Sequence, residues 1–196
     1  MKVPMTSKSN AWRVGALALG AAFVLVGCGS SVGGDATPAG SSTATNAGTG
    51  LAADVPSGYN TCTDIPQSVL DSEKLLDKTS NDSNVSGGIK WRGCIWVQND
   101  GYGASIRTTN LTVEMVREKN FSDAREFTID GRRAISTRQN ESRPETACNL
   151  NVEMQGGSLE IYLTNPPSAK KTGHLDTCQL TRSLAEKVVP TIPAGA

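Results

Sequence analysis

Between residues 89 and 163, apolar and polar positions alternate in short runs separated by turn signals, the pattern of antiparallel strands. Six strands are predicted. Residues 89–97 set Cys94 and Trp96 on one face and Trp91, Ile95 and Val97 on the other, and apolar groups on both faces indicate a central strand. Asn99-Asp100-Gly101 turns the chain into a second strand over 102–108. Strands over 125–129, with Phe127 and Ile129 on one face, and 132–138 flank the two-residue turn Asp130-Gly131. Residues 147–155 carry Cys148, Leu150, Val152 and Met154 on one face and Asn149, Asn151 and Glu153 on the other. After Gly156-Gly157 the chain returns over 158–163, with Leu159, Ile161 and Leu163 inward.

Three segments change to a period of three to four. A helix is predicted over 64–76, started by Asp64-Ile65-Pro66, with Val69, Leu70 and Leu75 or Leu76 inward. A short one runs to residue 119 from a cap at Asn110 or Thr112. The last spans 175–189 and ends at Pro190, with Leu175, Cys178, Arg182, Ala185 and Val189 in one series and Leu184 and Val188 in a second. Residues 79–88, 139–145 and 165–173 read as loops. The fold class is therefore α+β: an antiparallel sheet of about six strands packed with N- and C-terminal helices, over residues 58–192.

The N-terminus has a different pattern. Lys2, Lys8 and Arg13 form a basic start without acidic residues, and residues 14–26 are apolar or glycine without interruption. That run is shorter than the ~20 residues a membrane-spanning helix needs. Leu25-Val26-Gly27-Cys28 resembles the lipobox of bacterial lipoprotein precursors, in which the cysteine thiol receives a diacylglycerol and cleavage precedes it. The expectation is a signal peptide over 1–27, lipid attachment at Cys28 and a location on the extracytoplasmic face of the cell membrane. Residues 28–57, rich in Gly, Ser, Thr, Ala and Pro, are expected to form a flexible linker, and their composition suits O-glycosylation.

Composition narrows the function. The 196 residues balance 19 basic against 19 acidic, and removal of the three basic residues of the signal leaves 16 against 19, a net charge of −3. No concentrated basic face points to nucleic acid. Aromatic residues are 5%, so the core should be aliphatic. Of five cysteines, four remain once Cys28 is lipidated, an even number in an exported chain. Three connectivities are open; pairing of sequence neighbours, Cys62 with Cys94 and Cys148 with Cys178, is favoured. Each bridge would close a loop worth about 3.5 kcal/mol in the chain-entropy model. Without a CxxC pair, zinc is not expected.

His174 is the only histidine, which rules out an HExxH zinc site, and its place in a polar loop favours a solvated side chain over the base of a triad. No phosphate-binding glycine motif exists. Glu114 with Glu118, and Asp123 with Glu126, are spaced as carboxylate pairs, although paired surface charge is the commoner use of such spacing. Trp91, beside Lys90 and Arg92, suits stacking against a sugar or lipid headgroup, and burial beneath a helix is the competing reading. Arg107, Thr128, Arg132 and Arg138 read as one polar face able to meet an anion, or simply as a solvated face.

Cys62 before a proline-started helix, Cys94-Ile95-Trp96, Gly131-Arg132-Arg133-Ala134, Cys148 opening a strand, and Cys178 in a final helix ending Val188-Val189-Pro190 together resemble the actinobacterial lipoproteins grouped as domain of unknown function 3558. The family is similar in fold to the Mog1/PsbP/LpqN-like proteins. The resemblance implies location and fold, and no catalytic residue or cofactor. The expected function is a non-enzymatic, lipid-anchored envelope protein that binds an envelope protein, lipid or glycan. The alternative is a carboxylate-dependent hydrolase of envelope polymers.

Overall fold

The computed structural model describes residues 50–121 and 123–196; the signal segment, Cys28 and the linker up to residue 49 lie outside them. The domain is built on one antiparallel sheet of eight strands in the order β1-β3-β4-β8-β7-β6-β5, with β2 paired to β3. The strands are β1 (Leu75–Ser80), β2 (Ser83–Asn84), β3 (Lys90–Gln98), β4 (Gly103–Thr109), β5 (Arg125–Ile129), β6 (Arg132–Thr137), β7 (Ala147–Met154) and β8 (Gly157–Thr164). The helices are α1 (Thr61–Asp64), α2 (Gln67–Ser72), α3 (Val113–Arg117) and α4 (Thr177–Val188).

The six strands expected from the alternation are β3 to β8. The two additional ones, β1 and β2, replace part of a predicted helix and a predicted loop. Proline disfavours the helical region for the residue before it, and Ile65 is extended at φ −70°, ψ 118°. The helix expected over 64–76 is therefore split into α1 and α2, and it stops at Ser72. Leu75 and Leu76 then pair with Gln98 and Val97 of β3. Asp77, at φ 53°, lies where the register shifts between Leu76 and Thr79, so the alternation of two is broken and the edge strand is hidden in the sequence.

One face of the sheet carries the core. Cys94, Trp96, Ile106, Leu150, Val152, Leu159, Ile161 and Leu163 are buried there against Leu184, Ala185 and Val188 of α4. Each large aliphatic group contributes about 2 kcal/mol by leaving water. The inward stripe of α4 is Thr177, Thr181, Leu184, Ala185 and Val188. Leu175 and Arg182, expected inward, are exposed. Asp176 caps this helix by accepting from Gln179 N at 2.9 Å, so Leu175 falls outside it. Both favoured disulfides are formed: Cys62–Cys94 joins α1 to β3 with Cα atoms 5.3 Å apart, and Cys148–Cys178 joins β7 to α4 at 5.1 Å.

Residues 50–57, placed in the linker by their composition, are part of the packed chain. Leu51, Ala52 and Pro56 are buried, and Asn110 Nδ2 donates to Ala52 O at 2.9 Å. Near the other end of the core, Glu73 joins three elements. It accepts from Tyr102 Oη at 2.5 Å and pairs with Lys187 of α4, while its backbone carbonyl accepts from Gln98 Nε2 at 2.8 Å. Burial opposes the Glu73 carboxylate, but the hydrogen bonds from Lys187 and Tyr102 outweigh it and hold its pKa below the usual value. Burial, helped by the same carboxylate, pushes the Tyr102 phenol up.

Candidate functional site

The second face of the sheet is half covered. Val113 and Val116 of α3 pack there on Ile135 of β6, and Thr112 caps that helix by accepting from Met115 N at 3.2 Å. Beyond α3 the face is polar. Register sets Arg107 of β4 directly opposite Glu160 of β8, and Glu160 opposite Asn151 of β7. The adjacent row holds Ser105, Tyr162 and Asn149. Diagonal neighbours across strands are within reach of long side chains, and Asn149 reaches Glu160 in this way, while Trp91 of β3 reaches it from two strands away, across β4.

Glu160 is the hub. Its Oε1 accepts from Arg107 Nη2 at 2.5 Å, and its Oε2 accepts from Trp91 Nε1 at 3.0 Å and Asn149 Nδ2 at 3.2 Å. The carboxylate side chain is 4% exposed and the guanidinium side chain 16%. The Arg107 guanidinium also lies 5.4 Å from the Trp91 ring centre, a cation–π contact. The β6–β7 connection overhangs this floor: Gln139, Asn140 and Glu141 complete a shallow, open cleft of about 650 Å³ with Trp91, Arg107, Asn149, Glu160 and Tyr162. Asn140 holds the loop in shape by accepting from Arg143 N at 3.2 Å.

Among the described residues three buried side-chain polar atoms have no hydrogen-bond partner: Gln98 Oε1, Arg107 Nε and Asn149 Oδ1. Two of the three belong to this cleft. An unmet buried polar group costs about 1–3 kcal/mol, and both atoms lie beneath the surface of the cleft, out of contact with what enters it. No histidine, cysteine or lysine lines the cleft, and both oxygens of Glu160 are already hydrogen-bonded. The arrangement can hold a hydrogen-bonding ligand; it lacks an activated nucleophile and a partnered base.

The expected ligand face is divided by the fold. Trp91 and Arg107 share the cleft, and Trp91 is half-buried by Arg107 and Glu160 rather than beneath a helix. Arg132 and Arg138 lie on the opposite face, because they share the parity of Ala134, which pairs with Val152 of the core. Both are structural. Arg132 donates to the carbonyls of Glu153, Pro193 and Ala196 at 3.2, 2.8 and 2.8 Å. Arg138 pairs with Asp176 and Asp123 and donates to Pro144 O at 2.9 Å. Asp123 and Glu126 line a second groove, of about 700 Å³, between β5, β6 and α4. Most of the charges there are matched: Asp123 and Asp176 meet Arg138, and Arg182 meets Glu186 while lying 4.7 Å over Phe127, whereas Arg125 and Glu126 form no ion pair among the described residues. Glu114 pairs with Arg117 on α3.

Glu160, Asn149, Tyr162 and the 139–141 loop are the residues that sequence reasoning missed. The available signal was a single charge in the apolar run Leu159-Glu160-Ile161, matched by a single opposite charge in Ile106-Arg107-Thr108.

Among the described residues no helix is long and apolar enough to cross a membrane. A family model described as protein of unknown function (DUF3558) matches residues 23–191. No curated protein and no solved structure matches the chain.

Proposed function

The chain belongs to the DUF3558 family, and from that premise we propose that it is a non-enzymatic envelope protein, lipid-anchored through Cys28, whose domain binds its ligand in the Arg107–Glu160 cleft. The observation that carries this reading is one open cleft of about 650 Å³ whose floor is the hydrogen-bonded cluster of Trp91, Arg107, Asn149 and Glu160 and whose rim carries Gln139, Asn140 and Tyr162. The membrane part is supported by the basic start, the short apolar run and Leu25-Val26-Gly27-Cys28. Two disulfides agree with an oxidising compartment outside the cytoplasm. The same proposal takes the domain as Mog1/PsbP/LpqN-like and its source as actinobacterial; a single antiparallel sheet with helices on both faces agrees with that kinship. Against the alternative, a carboxylate-dependent hydrolase, stands the state of the carboxylates: Glu160 is held by three donors, and Asp123 is paired with Arg138.

Two measurements on the full-length protein test the reading. Metabolic labelling with an alkyne fatty acid should mark the wild type and spare Cys28→Ser, which should also leave the membrane fraction. Hydrogen–deuterium exchange in the presence of detergent-solubilised envelope material should slow at 139–141 and in β8. Unchanged exchange across the domain, or polymer cleavage abolished by Glu160→Gln, contradicts the proposal.

A further inference from the structure

The two edges of the sheet are built differently, and we infer that the β5 edge pairs with the β5 edge of a second copy of this chain. β1 is interrupted by the bulge at Asp77, one of the devices that keep an edge strand from pairing. β5 has no such device. Its register with β6 is unbroken from Arg125 to Ile129, and it contains no proline or glycine. Arg125, Glu126 and Thr128 are exposed and Phe127 is half-buried. Arg125 and Glu126, of opposite sign, form no ion pair among the described residues.

The turn fixes which backbone groups are free. Asp130 and Gly131 both have positive φ, 47° and 76°, so the β5–β6 connection is a two-residue primed turn. Ile129 and Arg132 beside it are then a hydrogen-bonded pair. Hydrogen-bonded and non-hydrogen-bonded pairs alternate along an antiparallel ladder. Phe127 and Arg125 therefore bond β6, and the N–H and C=O of Glu126 and Thr128 point away from the sheet. Among the described residues no other backbone group takes them.

A second copy supplies the complement, and charge selects the register. Centred on Arg125 or Glu126, a two-fold pairing of antiparallel β5 strands sets that residue opposite itself. Centred on Thr128, it sets Glu126 opposite Asp130. Each of these opposes like charges, which is destabilising. Centred on Ile129, the two strands barely overlap. Centred on Phe127, all of β5 is paired. Glu126 then lies opposite Thr128 of the second copy, so each such pair exchanges both its backbone hydrogen bonds and puts a hydroxyl beside a carboxylate. Arg125 faces Ile129, and the two Phe127 rings meet on the two-fold axis at a close, non-hydrogen-bonded position.

The test is sedimentation velocity of the full-length protein in detergent over a range of concentrations, together with cross-linking. The wild type should form a dimer that dissociates on dilution. Thr128→Pro removes one outward N–H from each copy and none that bonds β6, a position at which an edge strand tolerates proline. It should weaken the dimer about tenfold or more. Phe127→Cys should form a disulfide between copies under mild oxidant, because the two Cα atoms would stand about 4.5 Å apart; Arg125→Cys should not. Thermal melts report folding, and if Thr128→Pro fails to fold the cross-link decides alone. A monomer at every concentration, a dimer indifferent to Thr128→Pro, or cross-linking at residue 125 in place of 127 overturns the inference. The Arg107–Glu160 cleft contains no residue of β5, so none of these results bears on the binding reading.

Discussion

Arg107 and Glu160 stand opposite each other on adjacent strands, Nη2 to Oε1 at 2.5 Å, on the face of the sheet that α4 leaves uncovered. Breaking a buried pair by removing one partner leaves an uncompensated charge and costs about 3 kcal/mol or more, whereas replacing both by apolar groups of similar volume is often near neutral. Glu160→Leu is therefore expected to lower stability by about 3 kcal/mol, and Arg107→Met with Glu160→Leu to restore most of it. Urea unfolding of the two variants and of the parent checks this.

Glu73 gives the domain an acid limb. Its folded pKa is depressed, so its contribution is complete above the unfolded glutamate value of about 4.3 and is lost as pH falls below that through the folded value. Glu73→Gln should cost about 1.5 kcal/mol at pH 7. The gap between variant and wild type should close as unfolding is measured at progressively lower pH below that value.

Gly93 permits the close approach of β3 to β4. A Cβ there would stand 2.3 Å from Ile106 O, 2.5 Å from Thr61 Oγ1 and 2.7 Å from Arg107 Cα. Two of these atoms are backbone and cannot swing aside. Gly93→Ala is expected to destabilise by about 3 kcal/mol, and it should also reduce ligand binding because Arg107 must move. Melting temperature and titration of the same sample separate the two effects.

Each disulfide closes a loop of about 30 residues. Cys148→Ala with Cys178→Ala should lower stability by about 3.5 kcal/mol. Cys62→Ala with Cys94→Ala should cost a similar amount. Without reductant, denatured protein should take up no thiol reagent at these four positions.

The parts of the fold that were legible are those written in local pattern. Asp130-Gly131 and Gly156-Gly157 mark the β5–β6 and β7–β8 hairpins, and the alternation around them sets which residues face the core. The first strand was not legible: Leu75-Leu76 is followed by Asp-Lys-Thr-Ser, and a bulge breaks the period within six residues. The face of α4 was misread because Thr181, not Arg182, points inward; Thr181 Oγ1 donates to Thr177 O at 2.7 Å and so is satisfied within the core. Half the site was visible as Trp91 and Arg107. The other half depends on β4 pairing with β8, strands separated by nearly 50 residues, and sequence alternation carries no information about which distant strand is the neighbour. For the same reason Arg132 and Arg138, one strand over and of opposite parity, were wrongly gathered into the same face.

Side-chain NMR of the intact protein tests the central claim most directly. The Trp91 indole N–H and the Asn149 side-chain amide are followed while solubilised envelope material is added. The account predicts that these two signals shift together and saturably, while the side-chain amide of Asn165, which bonds Thr172 and Leu175 on a distant loop, stays in place. Trp91 and Asn149 remaining unmoved while signals from the groove beside α4 respond would contradict it.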